Sequence, residues 1–182
     1  MKKLKFIDLF AGIGGFHLAF HKLGAECVLA SEIDSNAREV YAKNFRNISP
    51  KVFSNNLFNK DIYELDTKEI PNFDILCAGF PCQPFSQIGY KKGFNENFEG
   101  RGNLFFEIKR ILIDKKPKAF FLENVQHIIN HDNGRTFRII EKSIRDLNYS
   151  FYYKKVKASD FNLPQLRPRT FMVGFKDENI QQ

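Results

Sequence analysis

The residue with the most obvious chemical potential is Cys82. It stands in Ala78-Gly79-Phe80-Pro81-Cys82-Gln83-Pro84-Phe85-Ser86, just past the unbroken apolar run Phe73 to Ala78. A thiol held off a strand end between two prolines could be a nucleophile once its pKa of about 8.5 is locally lowered. A structural cysteine in a rigid turn fits the same residues. Glu123-Asn124-Val125 follows the next apolar run, Ala119 to Leu122, and so belongs on the same rim as Cys82. A carboxyl with a raised pKa there could give a proton to a ring nitrogen, or it could simply cap a strand. In Gln165-Leu166-Arg167-Pro168-Arg169 the two arginines are one residue apart in an extended segment. They project to one side and suit phosphate or carbonyl oxygens, although a solvated basic loop reads the same way. Near the start, Phe10-Ala11-Gly12-Ile13-Gly14-Gly15 joins a strand to a helix, where glycines let a ligand approach the backbone. Glu32 and Asp34 end the second strand, where a carboxylate can accept from ribose hydroxyls. Together they point to a nucleoside cofactor rather than an empty tight turn. The spacing is not GxGxxG, which argues against a dinucleotide.

These groups need a scaffold that brings strand ends together. Apolar β-prone runs alternate with amphipathic helical ones, the pattern of a parallel sheet flanked by helices. Strands are expected at Leu4–Phe10, Cys27–Ala30, near Val52, and at Phe73–Ala78, Ala119–Leu122, Tyr149–Val156 and Thr170–Phe175. Helices are expected after Gly15, after Ser35 as N-cap, at Leu104–Ile113 and at Thr136–Leu147, with a polar loop at Asn59–Asp61. The last two strands have no helix between them, so they must be antiparallel neighbours. The fold class is therefore α/β, a doubly wound, mostly parallel sheet with a final antiparallel hairpin, in one domain over residues 1–182.

Composition narrows the setting. The net charge of +7 and pI of about 9.3 favour a polyanionic partner, or only a slightly basic surface. Cys27, Cys77 and Cys82 form neither a disulfide framework nor a paired metal spacing, so no metal is expected. Cys27 and Cys77 lie in apolar runs and read as buried strand residues. No stretch is apolar enough to span a membrane, and the N-terminus lacks a signal-peptide pattern, which indicates a reduced, intracellular compartment.

In this order and context, FAGIGG, PCQPFS, ENV and QLRPR resemble the DNA cytosine-C5 methyltransferase family, from about Lys3 to Phe175. The resemblance implies the S-adenosylmethionine-dependent methyltransferase fold. It implies that Phe10, Ala11, Gly12, Ile13, Gly14 and Gly15 line the cofactor, with Glu32 on its ribose and Ser31 and Ile33 beside it. Asp61 and Ile62 would meet the adenine, and Gly79, Pro81 and Leu104 the methionine end. Cys82 would attack C6 of a cytosine flipped from double-stranded DNA, Glu123 would bind N3 and the amine, and Arg169 with Arg167 would hold the carbonyl and a phosphate. Gln83, Ser86, Arg101 and Gln165 would also face DNA. The loop from Gln83 to Arg101 would close over it, with Gly89, Gly93, Gly100 and Gly102 permitting movement. A cytoplasmic, nucleoid-associated bacterial protein with a restriction–modification role is what the family suggests.

Family members continue past QLRPR with a target-recognition region and two further motifs, the last of which returns to the catalytic domain. Exposed apolar surface is therefore expected where that segment belongs. The missing half is a second polypeptide, or the gene is a fragment, or the sequence was shortened. Two other functions compete: an inactive remnant that only binds, and a tRNA cytosine-C5 methyltransferase sharing these motifs.

Overall fold

The computed structural model describes residues 3–82 and 104–176. Seven strands form one sheet: β1 (Lys5–Leu9), β2 (Glu26–Ser31), β3 (Phe58–Asn59), β4 (Ile75–Gly79), β5 (Ala119–Val125), β6 (Tyr152–Lys157) and β7 (Pro168–Phe175). Their order is β3-β2-β1-β4-β5-β7-β6. All neighbours from β3 to β5 are parallel, while β7 runs antiparallel to both β5 and β6. The expected closing hairpin is present. Between β1 and β4 the chain switches direction of travel across the sheet, which opens a crevice at the carboxyl ends of these two strands. The FAGIGG turn leaves β1 on one side of it and the PCQ segment leaves β4 on the other.

Alternation along β1 divides the core. Ile7 and Leu9 face a layer that includes α4 (Phe105–Lys115) and α5 (Arg135–Arg145), through Ile108, Ile111, Leu112, Ile140 and Ile144. Phe6 faces α1 (Gly15–Lys22) and α2 (Ser35–Phe45), where Tyr41 and Phe45 are buried with Cys27 and Cys77. Asp8 shares the Phe6 face and is fully buried, with no hydrogen bond to either carboxyl oxygen among the described residues. Burial pushes its pKa well up; the His17 backbone N–H opposes the shift without reaching hydrogen-bond geometry, and Glu32 adds to it. Asp8 is thus held in its neutral form.

Three local expectations need correction. Val52 lies in a short helix, α3 (Pro50–Ser54), and the strand comes later, at Phe58–Asn59, so Asn59 is not loop. Pro50 at the first helical position favours that outcome, because its missing N–H costs a helix nothing there. The N-cap of α2 is Asp34 rather than Ser35, since its carboxylate accepts from the Ala37 N–H at 2.7 Å. Glu123 and Asn124 do not follow β5 but lie within it, because antiparallel pairing with β7 continues to Val125–Arg169.

Candidate active site

The turn after β1 is shaped by its backbone. Phe10 and Gly12 have φ of 53° and 55°, and Gly14 reaches 95°. Gly14 has a second reason to be glycine: a Cβ there would meet the Phe45 ring at 2.0 Å. The Ala11 N–H bonds Ser31 O at 3.0 Å, and the Gly14 N–H bonds Ala11 O at 2.8 Å. Across the crevice entrance, Glu32 accepts from the Gly12 N–H at 2.7 Å and, through its other oxygen, from the Asp34 N–H at 2.8 Å. Each oxygen retains a lone pair for a hydroxyl. A Cβ on Gly12 or Gly15 would touch nothing, and Ile13 and Ile33 are 63% and 59% exposed. This is an open cradle of turn backbone, carboxylate and apolar side chains, which fits a nucleoside.

The rim beyond it is tied by side chains. Ser31 donates to Asn59 Oδ1 at 3.1 Å. Asp61 accepts from the Tyr63 N–H at 3.0 Å through one carboxylate oxygen, whereas the Ile62 side chain is buried in the core. Contact of Ile62 with a ligand would therefore come mainly through its backbone. Arg38 belongs to none of the motifs, yet it bonds the carbonyls of Glu32, Phe58 and Asn59 at 2.6–3.0 Å. It locks the second and third strand ends together. Its position one turn into α2 was visible in the sequence, but its partners were not.

On the other side, β4 ends at Gly79, directly paired with Glu123 of β5. A Cβ on Gly79 would lie 3.4 Å from Glu123 Oε2, an ordinary contact, so the glycine and the carboxylate are immediate neighbours. Phe80 is buried, Pro81 exposed, and Cys82 half-buried, with Leu104 packed on the same core edge. Asn124, 1% exposed, donates to Phe80 O at 2.9 Å and so fastens the Cys82 segment to the strand carrying Glu123. Asn124 belongs to the Glu-Asn-Val motif, but nothing local in that motif marks this tether. Arg169 donates through Nε to Glu123 Oε1 at 2.7 Å. Arg167 and Gln165 are exposed, and Arg167 lines the same cleft as Arg169 and Glu123. Gln83, Ser86 and Arg101, like the loop glycines Gly89, Gly93, Gly100 and Gly102, lie outside the described residues.

Electrostatics distinguish the two reactive groups. Burial raises the Glu123 pKa, and the charges of Arg169 and Arg167 oppose the rise without cancelling it. Burial also raises the Cys82 thiol, contrary to the lowering that a nucleophile needs, because no cation among the described residues offsets it. Alkylation of Cys82 by iodoacetamide is expected to keep accelerating with pH past about 8.5, while buried Cys27 and Cys77 stay unmodified. A rate that levels off below that pH, followed by peptide mass spectrometry, would mean that a further group lowers the thiol pKa.

Glu123, Arg167 and Arg169 line one end of a cleft of about 710 Å³ that extends over the sheet. Its floor is the face bearing Phe121, Phe171, Val173, Tyr152 and Val156, with Phe161 at the far side. Helix α1 meets this face at Phe121, through the rings of Phe16 and Phe20. The opposite face of these strands is covered by α5, where Phe137 packs on Phe151 and Tyr153.

A family model described as C-5 cytosine-specific DNA methylase matches residues 4–182. The chain belongs to that family. The type II methyltransferase M.HhaI of Haemophilus parahaemolyticus is 48% identical over 179 residues, 98% of this chain and 51% of its own length. M.NgoBI of Neisseria gonorrhoeae is 49% identical over 95% of this chain and 51% of its own length. Methylase-family architecture also recurs in a solved Spodoptera frugiperda DNMT2 mutant, with a TM-score of 0.75 at 24% identity over 98% of this chain and 51% of that one. At that identity the likeness speaks for the fold alone. This methylase chain spans about half the length of the curated relatives it matches. No helix among its described residues is long and apolar enough to cross a membrane.

Proposed function

We propose that this chain is the cofactor-binding and catalytic half of an enzyme that methylates C5 of cytosine in double-stranded DNA. The observation that carries the reading is the tethering of the Cys82 segment to β5 by Asn124, beside a Glu123 whose carboxyl is raised by burial and held by Arg169. The cradle of Gly12, Gly15, Ile13, Ile33 and Glu32 fits S-adenosylmethionine, with Glu32 on the ribose hydroxyls. Ser31 and Asp61–Ile62 stand along the nucleoside, and Gly79, Pro81 and Leu104 near the methionine end. Bound there, S-adenosylmethionine supplies an electrophilic methyl group.

The residues of the chain would act in sequence on a base swung out of the duplex. The Cys82 thiolate adds to C6, and the displaced π electrons move toward C5. Glu123 gives its proton to N3 and accepts from the exocyclic amine, which neutralises the charge that reaches the ring. Arg169 aims the Glu123 carboxylate and, with Arg167, holds the base carbonyl and a neighbouring phosphate. After C5 has gained the methyl group, loss of its proton to a base restores the C5–C6 double bond and expels Cys82.

The uncovered face of β5, β7 and β6 supports a second part of this reading, that an apolar segment from the other half of the enzyme packs there. A doubly wound sheet is normally buried on both faces, and this face is left with Phe161 66% and Tyr152 50% exposed. Labelled methyl transfer to mixed-sequence duplex DNA tests both parts, using the chain alone and with the product of the adjacent reading frame. Label only with the companion is expected. Label with the chain alone would remove the need for a partner, and label in tRNA but not DNA would overturn the substrate. Absence of label under every condition would favour a binding remnant.

A further inference from the structure

His17 lies two residues beyond the glycine turn and is completely buried, an expensive place for an imidazole. Both ring nitrogens are nevertheless satisfied: Nδ1 shares a hydrogen bond with Tyr41 Oη at 2.5 Å, and Nε2 with Ser49 Oγ at 3.0 Å. Burial first, and the nearby His21 second, lower its pKa to about 4, so the ring is neutral. The flat of the ring stacks on Phe45, 4.0 Å between centroids and 14° from parallel, while Phe6 meets it edge-on. Phe45 in turn is the ring that fills the space where a Gly14 side chain would be.

These contacts form one line from α2 and the start of α3 through His17 and Phe45 to the cofactor turn. The other end of the turn is held at Gly12 by Glu32, which also bonds the start of α2 through the Asp34 N–H. Helix α2 therefore grips the turn at two points, by its N-terminus through Glu32 and by its C-terminus through Phe45. The first grip is a carboxylate that the cofactor also needs. The second is made only of buried groups, His17, Tyr41, Phe45 and Ser49.

We propose that His17 is a positioning residue for cofactor binding, clamped by Tyr41 and Ser49 so that it presses Phe45 against Gly14 and fixes the Gly12–Gly15 turn. The proposal rests on the S-adenosylmethionine reading of that turn. Tyr41 and Ser49 are part of the same device, and neither touches the cradle. Losing either hydroxyl leaves His17 with an unpaired nitrogen and the Phe45 stack free to shift.

The test uses the full chain with S-adenosylhomocysteine as titrant, together with amide hydrogen exchange of the segment from Leu9 to His17. Tyr41→Phe and Ser49→Ala are the working variants, because His17→Leu strands two hydroxyls and can fail to fold. Tyr149→Phe is the control: it deletes a buried hydrogen bond of 2.6 Å to Pro117 O, far along the chain from the turn. The working variants are expected to weaken binding about three- to tenfold and to speed exchange at the turn. The control, compared at equal loss of thermal stability, is expected to do neither. Equal effects in the control would reduce His17 to an ordinary core residue, and unchanged exchange or unchanged affinity in both working variants would also overturn the proposal. If neither the unaltered chain nor the chain assembled with its companion half took up S-adenosylhomocysteine, the cofactor reading itself would fall, and the exchange comparison would still decide whether the clamp exists.

Discussion

Cys82→Ala is expected to abolish methyl transfer by the assembled enzyme and to leave no covalent complex with DNA, while cofactor binding stays within about twofold. Cytosine C5 is too weakly nucleophilic to take a methyl group until a nucleophile adds to C6 and pushes the π electrons toward C5, and alanine offers no atom that can add. Nucleophile removal in enzymes that work through covalent intermediates costs several orders of magnitude, on the order of 10⁴-fold or more. DNA carrying 5-fluorocytosine makes the readout direct, because fluorine cannot leave as a proton and the adduct to Cys82 persists. A shifted band on a denaturing gel with unaltered protein and none with Cys82→Ala is the expected pair. An adduct that survives the substitution would point to another nucleophile. Such a nucleophile would not be Cys27 or Cys77, which are both buried in the sheet.

The second large effect belongs to Glu123→Gln. The substitution keeps the shape beside Gly79 but removes both the proton that N3 would receive and the charge that orients Arg169. A loss of about 10²- to 10³-fold in kcat is expected, with little change in cofactor affinity. The pH profile separates this role from a structural one. Unaltered enzyme needs a protonated Glu123 and an ionised Cys82, so its rate should climb up to the raised Glu123 pKa and then flatten until Cys82 titrates. In the glutamine variant only Cys82 matters, and the rate should go on rising tenfold per pH unit across the former plateau. A plateau that remains in the variant would mean that Glu123 does not transfer the proton.

The raised Cys82 pKa sharpens both expectations. With burial as its cause and no lowering group among the described residues, the free thiol is mostly protonated at neutral pH. Activation must then come with substrate binding or from the segment that follows Cys82. The pH dependence of alkylation with and without DNA distinguishes a thiol that is ready beforehand from one that is made ready on binding.

Much of this was determined by the sequence alone. Alternating apolar and amphipathic runs are a local signal, and they sufficed for the parallel sheet, for the antiparallel return of Thr170–Phe175, and for the strand-end positions of Gly12, Glu32 and Cys82. Motif order was likewise enough for the family. What the sequence could not decide were matters of contact between segments distant along the chain. Pairing with β7 extended β5 over Glu123 and Asn124, because ladder hydrogen bonds outweigh the weak strand signal of Glu and Asn. The proline at position 50 turned the Val52 segment helical against an apolar pattern that reads equally well as strand. Arg38, Asn124 and His17 passed as ordinary helix and strand residues, since nothing local marks them. Only when the sheet brings Phe58 to Ala30, Gly79 to Glu123 and α1 against α2 do their hydrogen bonds exist, and those bonds hold the two rims of the crevice at working distance.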